Sequence, residues 1–213
     1  MDANFWHKKW KNNEIAFHRS NPNPLLVDHV NALSLSEGSV IFIPLCGKTL
    51  DIAWLLSNGY RITGSELVES AIDQLFSELN MMPNITVVGK LKHYSAKNID
   101  IYVGDIFEVS QALLGPVDAV YDRAALVALP DEIRPRYTAH LMSITNQSPQ
   151  LLIAYYYDQN LVQGPPFSIS DEEVSQHYKD SYNLTLVVST DVEGGMKGKC
   201  AAKENVWLLR NDN

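Results

Sequence analysis

The stretch VIFIPLCGKTLDIAWLLSNGYRITGSELV, residues 40–68, narrows the possible folds more than any other part of this chain. Four apolar residues suit a short strand buried on both faces, and Pro44 and Gly47 break it. From Thr49, the residues Leu50, Ala53, Trp54 and Ser57 share one helical stripe until Asn58-Gly59 stops it. A second strand, 61–65, then runs to an acid, Glu66. Two strands joined by a helix are parallel neighbours, because a parallel pair needs a crossover connection.

The alternation continues. The sequence predicts a helix over 70–79, strands at 85–88 and 99–103, a strand at 117–121, a helix over 131–144 and a long apolar strand at 151–157. The intervening GKLKHYSAKN reads as a loop or hairpin. A helix follows from Asp171, with Ser170 as N-cap and Glu173 as its capping-box partner. After it, LTLVVST and NVWLLR come without a helix between them, which predicts an antiparallel C-terminal hairpin at the sheet edge. Upstream, Asn23 caps a short helix with Pro24 at its first position. The expectation is an α/β fold, a mostly parallel sheet with helices on both faces, in a single domain: residues 1–35 an N-terminal segment and 36–213 the core.

Net charge is −8 with no run of basic residues, which argues against a nucleic-acid backbone or an anionic membrane as partner. The longest strongly apolar run, LLIAYYY, is far short of the roughly 18 residues of a membrane span. Cys46 and Cys200 are too few for a disulfide framework, and MDANFWHKKW lacks a secretory core, so a reducing cytoplasm is expected. No histidine or cysteine pair has metal-ligand spacing, and no metal is expected. A monomer is expected.

In a sheet of this kind, ligands sit beyond the carboxyl ends of the strands. Those ends carry Leu45-Cys46-Gly47, Glu66, Asp105-Ile106 and Asp122-Arg123. Glu66 follows Gly47 by about 20 residues, the spacing of an acid that accepts from ribose hydroxyls; an exposed strand-end glutamate is the plainer reading. The PLCGK turn lacks the second and third glycines that a pyrophosphate requires, and Pro44 and Leu45 stand where donors would face it. The ligand therefore has a ribose and no phosphate. S-adenosylmethionine fits this description and NAD does not. Asp105 either accepts from the adenine amine, with Ile106 along the adenine edge, or caps the turn that follows. Arg123 either pairs with an acid or orients a ligand with its planar fork. Cys46 reads as a small buried thiol. Trp6, Trp10 and Phe17 form an aromatic stripe that suits core packing, and Pro165-Pro166-Phe167 is either a rigid connector or a stiff wall against a flat substrate.

The stretches FWHKKW, AFHRSNPNPLL, FIPLCGKTLDIAWL, GSELVESAI, DIFEV, YDRAALVALP and GPPF together resemble the thiopurine S-methyltransferase family, particularly its bacterial members, along almost the entire chain. The resemblance implies a Rossmann-like, seven-stranded S-adenosylmethionine-dependent methyltransferase fold. It implies cofactor contacts from Trp10, Leu45, Glu66 and Arg123, with Asp105 and Ile106 bordering the adenine. It also implies an N-terminal lid carrying Trp6 and Phe17, and a small thiol as acceptor; Phe17, Arg123 and Phe167 are the contacts expected for that acceptor, and Trp6 is expected to reach the cofactor. The glycine-rich EGGMKGKCAAK, residues 193–203, departs from the family pattern and leaves the acceptor open.

Methyl transfer from a sulfonium needs alignment and water exclusion rather than a strong base, so no catalytic residue is expected. His18 is the one candidate base. The rival reading is a cofactor- or metalloid-binding protein involved in selenium or tellurite resistance, with methylation incidental; a nicotinamide oxidoreductase is disfavoured by the missing G-x-G-x-x-G.

Overall fold

The computed structural model describes residues 3–15 and 20–211. A nine-stranded sheet forms its centre. The first strand, β1 (Val40–Ile43), turns Ile41 and Ile43 to one face and Phe42 to the other, the period-two alternation of a strand, and both faces are buried. The next strand, β2 (Arg61–Glu66), lies parallel to β1, and the crossover between them is helix α3 (Leu50–Ser57), capped by the Thr49 hydroxyl. The first two helices precede this unit: α1 (Ala3–Lys11) and α2 (Pro24–His29), the latter capped by Asn23 as its sequence predicts.

Helix α4 (Glu69–Glu78) follows β2, and then β3 (Asn84–Val88), β4 (Leu91–Ala96) and β5 (Ile99–Val103) run as an antiparallel meander, with β5 parallel to β2. A short helix α5 (Gln111–Leu114) leads to β6 (Ala119–Arg123), which pairs parallel with β1 on its other side. Helix α6 (Arg134–Ile144), strand β7 (Gln150–Tyr157), helix α7 (Asp171–Tyr178) and the hairpin β8 (Asn183–Asp191) and β9 (Ala202–Arg210) complete the chain. The sheet order is β3-β4-β5-β2-β1-β6-β7-β9-β8. Side chains of α2, α3 and α4 bury against one face of the sheet, and those of α5, α6 and α7 against the other.

Three expectations need correction. The sheet has nine strands rather than seven: the seven from β5 to β8 make the expected arrangement, and β3 and β4 extend it antiparallel at one edge. Of the two readings of GKLKHYSAKN, the hairpin holds and the loop fails: between its two turns it carries β4, whose apolar positions Leu91 and Tyr94 are buried while Lys92 reaches Glu69 and His93 stacks on Tyr102. Those polar side chains hide the strand from a reading of periodicity. The strand expected at 117–121 is also shifted, because Asp118 turns its carboxylate to the Val40 N–H and pairing begins at Ala119. Of the C-terminal pair, β9 lies inside, between β7 and β8, and only β8 forms the edge.

Candidate active site

Chain order reverses between β1 and β6, with β2 on one side of β1 and β6 on the other. At such a switch point the loops beyond the strand ends diverge and leave a crevice. Here it is a cavity of about 630 Å³.

After β1 the chain turns sharply, with Leu45 at φ 47° and Gly47 at φ 53°. The left-handed region suits glycine and strains a leucine, so the loop holds Leu45 against its preference. Its anchors are the Cys46 N–H on the Ser65 carbonyl at 2.9 Å and the Gly47 N–H on Glu66 Oε2 at 2.8 Å. Glu66 Oε1 accepts from the Val68 N–H, also at 2.8 Å. The glutamate is therefore buried, and it ties the ends of β1 and β2 together. Burial pushes its carboxyl up, and the two N–H bonds pull it back. Burial, and then the charge of Glu66, push the Cys46 thiol well up, so it is a protonated packing group. Trp10 lies over this turn: a Cβ added at Gly47 would come within 3.2 Å of its ring. Trp10 is buried against Val68 and Ala71, with Trp6 beside it.

Asp51, at the start of α3, is buried and accepts from the Asn23 N–H at 2.7 Å and the Tyr121 hydroxyl at 3.0 Å. Asp51 and Tyr121 also line the cavity. At the end of β6, Asp122 points into the core and accepts from the Leu126 N–H and the Tyr137 hydroxyl; burial raises its carboxyl to about 6. Arg123, by the strand's alternation, faces the cavity instead. It has no ion-pair partner among the described residues, so the structural-pair reading of this side chain fails. Ala124 follows at φ 63°.

Trp6, Trp10, Leu45, Glu66 and Arg123 thus come together around one cavity. Asp105 and Ile106 do not line it. Asp105 is exposed and caps the next turn through the Phe107 N–H at 3.1 Å, while the Ile106 side chain is buried under α6. Phe167 does not line it either: its ring stands over the Arg134 guanidinium, 5.4 Å from centroid to carbon, and Pro165 and Pro166 form the wall. Phe17 and His18 lie outside the described residues. Sequence reasoning missed Tyr121, Tyr155, Met196 and Lys197, all of which line the cavity.

The strand order and the position of the cavity are those of a Rossmann-like α/β fold, the fold of solved S-adenosylmethionine-dependent methyltransferases. Solved structures share the fold. The 1,6-didemethyltoxoflavin-N1-methyltransferase of Burkholderia thailandensis, solved with 1,6-didemethyltoxoflavin and S-adenosylhomocysteine, superposes with a TM-score of 0.66 at 13% identity, over 98% of this chain and 87% of that one. A SAM-dependent methyltransferase from Anabaena variabilis gives 0.62 at 16% identity, over 98% and 95%. Closer relatives fix the family. The model of the family described as Thiopurine S-methyltransferase (TPMT) matches residues 1–212. The thiopurine S-methyltransferase of Teredinibacter turnerae is 50% identical over 214 residues, covering 100% of both chains, and that of Xanthobacter autotrophicus is 47% identical over 210 residues, covering 98% of this chain and 99% of the relative. The chain belongs to the thiopurine S-methyltransferase family, and its cofactor is S-adenosylmethionine.

The residues present fit that cofactor. Glu66 spends one lone pair of each oxygen on a backbone N–H and keeps acceptor capacity for two hydroxyls. In the PLCGK turn the Cys46 and Gly47 N–H groups are already bonded to the Ser65 carbonyl and to Glu66, which leaves neither for a phosphate. No helix among the described residues is long and apolar enough to cross a membrane.

Proposed function

We propose that this cavity transfers the methyl group of S-adenosylmethionine to the sulfur of a small aromatic or heterocyclic thiol such as a thiopurine, and to selenium or tellurium in the same position. The guanidinium of Arg123, which has no ion-pair partner among the described residues, carries this reading: a planar, permanently charged fork in a largely apolar cavity suits a flat anionic heterocycle. Glu66 accepts from the ribose hydroxyls, and Leu45 and Trp10 flank them. Asp105 keeps an exposed carboxylate that can take the adenine amine while it caps, with Ile106 beneath. Residues 1–35, with Trp6 and Phe17, act as lid and first helix over the core at 36–213. Phe167 acts through the wall it stiffens. The enzyme works as a monomer in the reducing cytoplasm, in keeping with its free cysteines.

The cofactor supplies a methyl group on a sulfonium, whose positive charge disappears as the methyl leaves. The protein therefore has no charge to create at the acceptor. Arg123 holds the acceptor anion, and Val127, Ala128, Pro165 and Pro166 keep water from it. The thiol's own acidity sets the anion fraction. Rates at saturating cofactor, measured against pH for thiols of different pKa, test this. The acidic limb should move with each thiol; a limb fixed across thiols and abolished by His18→Ala would replace the mechanism with an enzymic base. Product formation from thiols, selenols and tellurite separates an enzyme from a binding protein.

A further inference from the structure

The glycine-rich hairpin tip between β8 and β9 has a defined shape. Gly194, Gly195 and Gly198 adopt φ of 72°, 68° and 67°, and Lys197 between them 52°. The Met196 N–H bonds the Cys200 carbonyl at 2.8 Å, and a Cβ at Gly195 would lie 2.1 Å from that same oxygen. Only glycine fits there. The fold of the tip buries Met196 against Tyr157 and Val162 and sends the Lys197 side chain across to the loop that carries Pro165 and Pro166.

There the Lys197 ammonium donates to the Gln163 carbonyl at 3.2 Å and to the Pro165 carbonyl at 3.0 Å. These are the only hydrogen bonds between the tip and residues 163–167 among the described residues. The wall has other anchors, all from its own side of the fold: the Tyr157 hydroxyl on the Pro166 carbonyl and the Phe167 N–H on the Val127 carbonyl, both 2.6 Å. Among the described residues Lys197 alone ties it to the hairpin by hydrogen bonds. Lysine is otherwise exposed here, with no ion pair among the described residues, so its charge is committed to two neutral oxygens beside the cavity. A charge-assisted bond of this kind is stronger than a neutral one, and two of them fix the distance between two cavity walls.

We propose that Lys197 is a specificity-determining positioning residue for the acceptor: by clasping the Pro165 wall to the Met196 tip it sets the width of the acceptor end of the cavity. This rests on the reading of that end as the thiol site. Lys197 bonds the Gln163 and Pro165 carbonyls, whereas Glu66 is held by the Gly47 and Val68 N–H groups, so the effect falls on the acceptor and spares the cofactor.

The test compares wild type, Lys197→Met and Lys197→Arg, each checked for folding by circular dichroism, with thiophenol and with a bicyclic mercaptobenzimidazole. Loss of two charged bonds should raise the KM of thiophenol on the order of tenfold in Lys197→Met and that of the bicyclic thiol less, with S-adenosylmethionine affinity unchanged by calorimetry and most of the loss restored in Lys197→Arg. Unchanged KM values, or an equal loss of cofactor affinity, overturn the proposal. Should wild type methylate neither thiol, the acceptor reading itself fails; hydrogen exchange of residues 192–201 then decides the clasp separately, and equal exchange in wild type and Lys197→Met removes it too.

Discussion

At the Glu66 end of the cavity, the polar contacts run from backbone N–H groups to a buried carboxylate within two adjacent strand ends; at the other end, the side chains of Tyr157 on β7 and Lys197 after β8 reach carbonyls of the loop after β7. The first arrangement is built by the sheet and cannot change without moving strands. The second is built by Lys197 and Tyr157, and single substitutions alter it. One fold can thus keep a fixed cofactor end while the acceptor end varies.

The sharpest way to break this contrast is Glu66→Ala. It leaves the Gly47 and Val68 N–H groups buried without an acceptor, at about 1–3 kcal/mol each. Urea unfolding without cofactor should show a loss of about 4 kcal/mol, less whatever burial of the carboxylate had withheld. Calorimetry should show S-adenosylmethionine binding weakened by roughly 1–3 kcal/mol as well. Unchanged stability would mean that the two N–H groups find other partners, and that this end is no more rigid than the other.

Asp122 gives a pH-dependent version. Its carboxyl sits at about 6 in the folded protein against an ordinary 3.8, because burial disfavours the charge more than Tyr137 and Leu126 support it. The native state therefore holds this proton longer than the unfolded chain. Stability from Asp122 is fully present below the unfolded value, falls as pH rises from about 4 to about 6, and stays low above, a change of about 3 kcal/mol. Other carboxylates, such as Glu173 and Glu69, are held down by their partners and act in the opposite direction as pH falls. The quantity to measure is the difference between wild type and Asp122→Asn across pH 4–7. A flat difference would show that Asp122 ionises as freely as in solvent.

These residues also mark what the sequence could reveal. The strand, turn and helix from β1 to β2 follow from local periodicity and punctuation, so Glu66 and the Leu45 turn were legible. Asp51 and Tyr121 are 70 residues apart, and Lys197 and Pro165 are 32 apart; such pairs depend on which strands become neighbours, which no local pattern states. Strand β4 was hidden by Lys92 and His93, whose polar ends find partners on adjacent elements. Phe167 is a subtler case. The GPPF turn was legible as a wall, yet Arg134, held by Glu173 and the Leu129 carbonyl, draws the ring to itself and leaves the prolines facing the cavity.

A smaller effect is expected between the two ends. Tyr121→Phe removes the donor to Asp51 Oδ2 while the Asn23 N–H remains on Oδ1. One oxygen of a buried carboxylate then lacks its partner, and thermal unfolding should show a loss of about 1–2 kcal/mol. Asn23 begins α2, so a loss confined to hydrogen exchange near residues 20–29 would show that the Asp51 bonds anchor the entry of the chain rather than the cavity floor.

The least effect on stability should come from Arg123→Met, and this makes it the most discriminating variant. With no ion-pair partner among the described residues, Arg123 has no fold contact of that kind to lose, and methionine keeps its aliphatic length. Unfolding midpoints should match wild type. Methyl transfer to an anionic heterocyclic thiol should nevertheless fall by about 10- to 100-fold, the range of one or two charge-assisted bonds to the reacting ligand, and Arg123→Lys should recover it only in part because a point charge lacks the planar fork. If stability fell with activity, Arg123 would belong to the structural frame with Glu66. If neither changed, the acceptor would be held by shape alone, and the clasped walls would carry the entire selection.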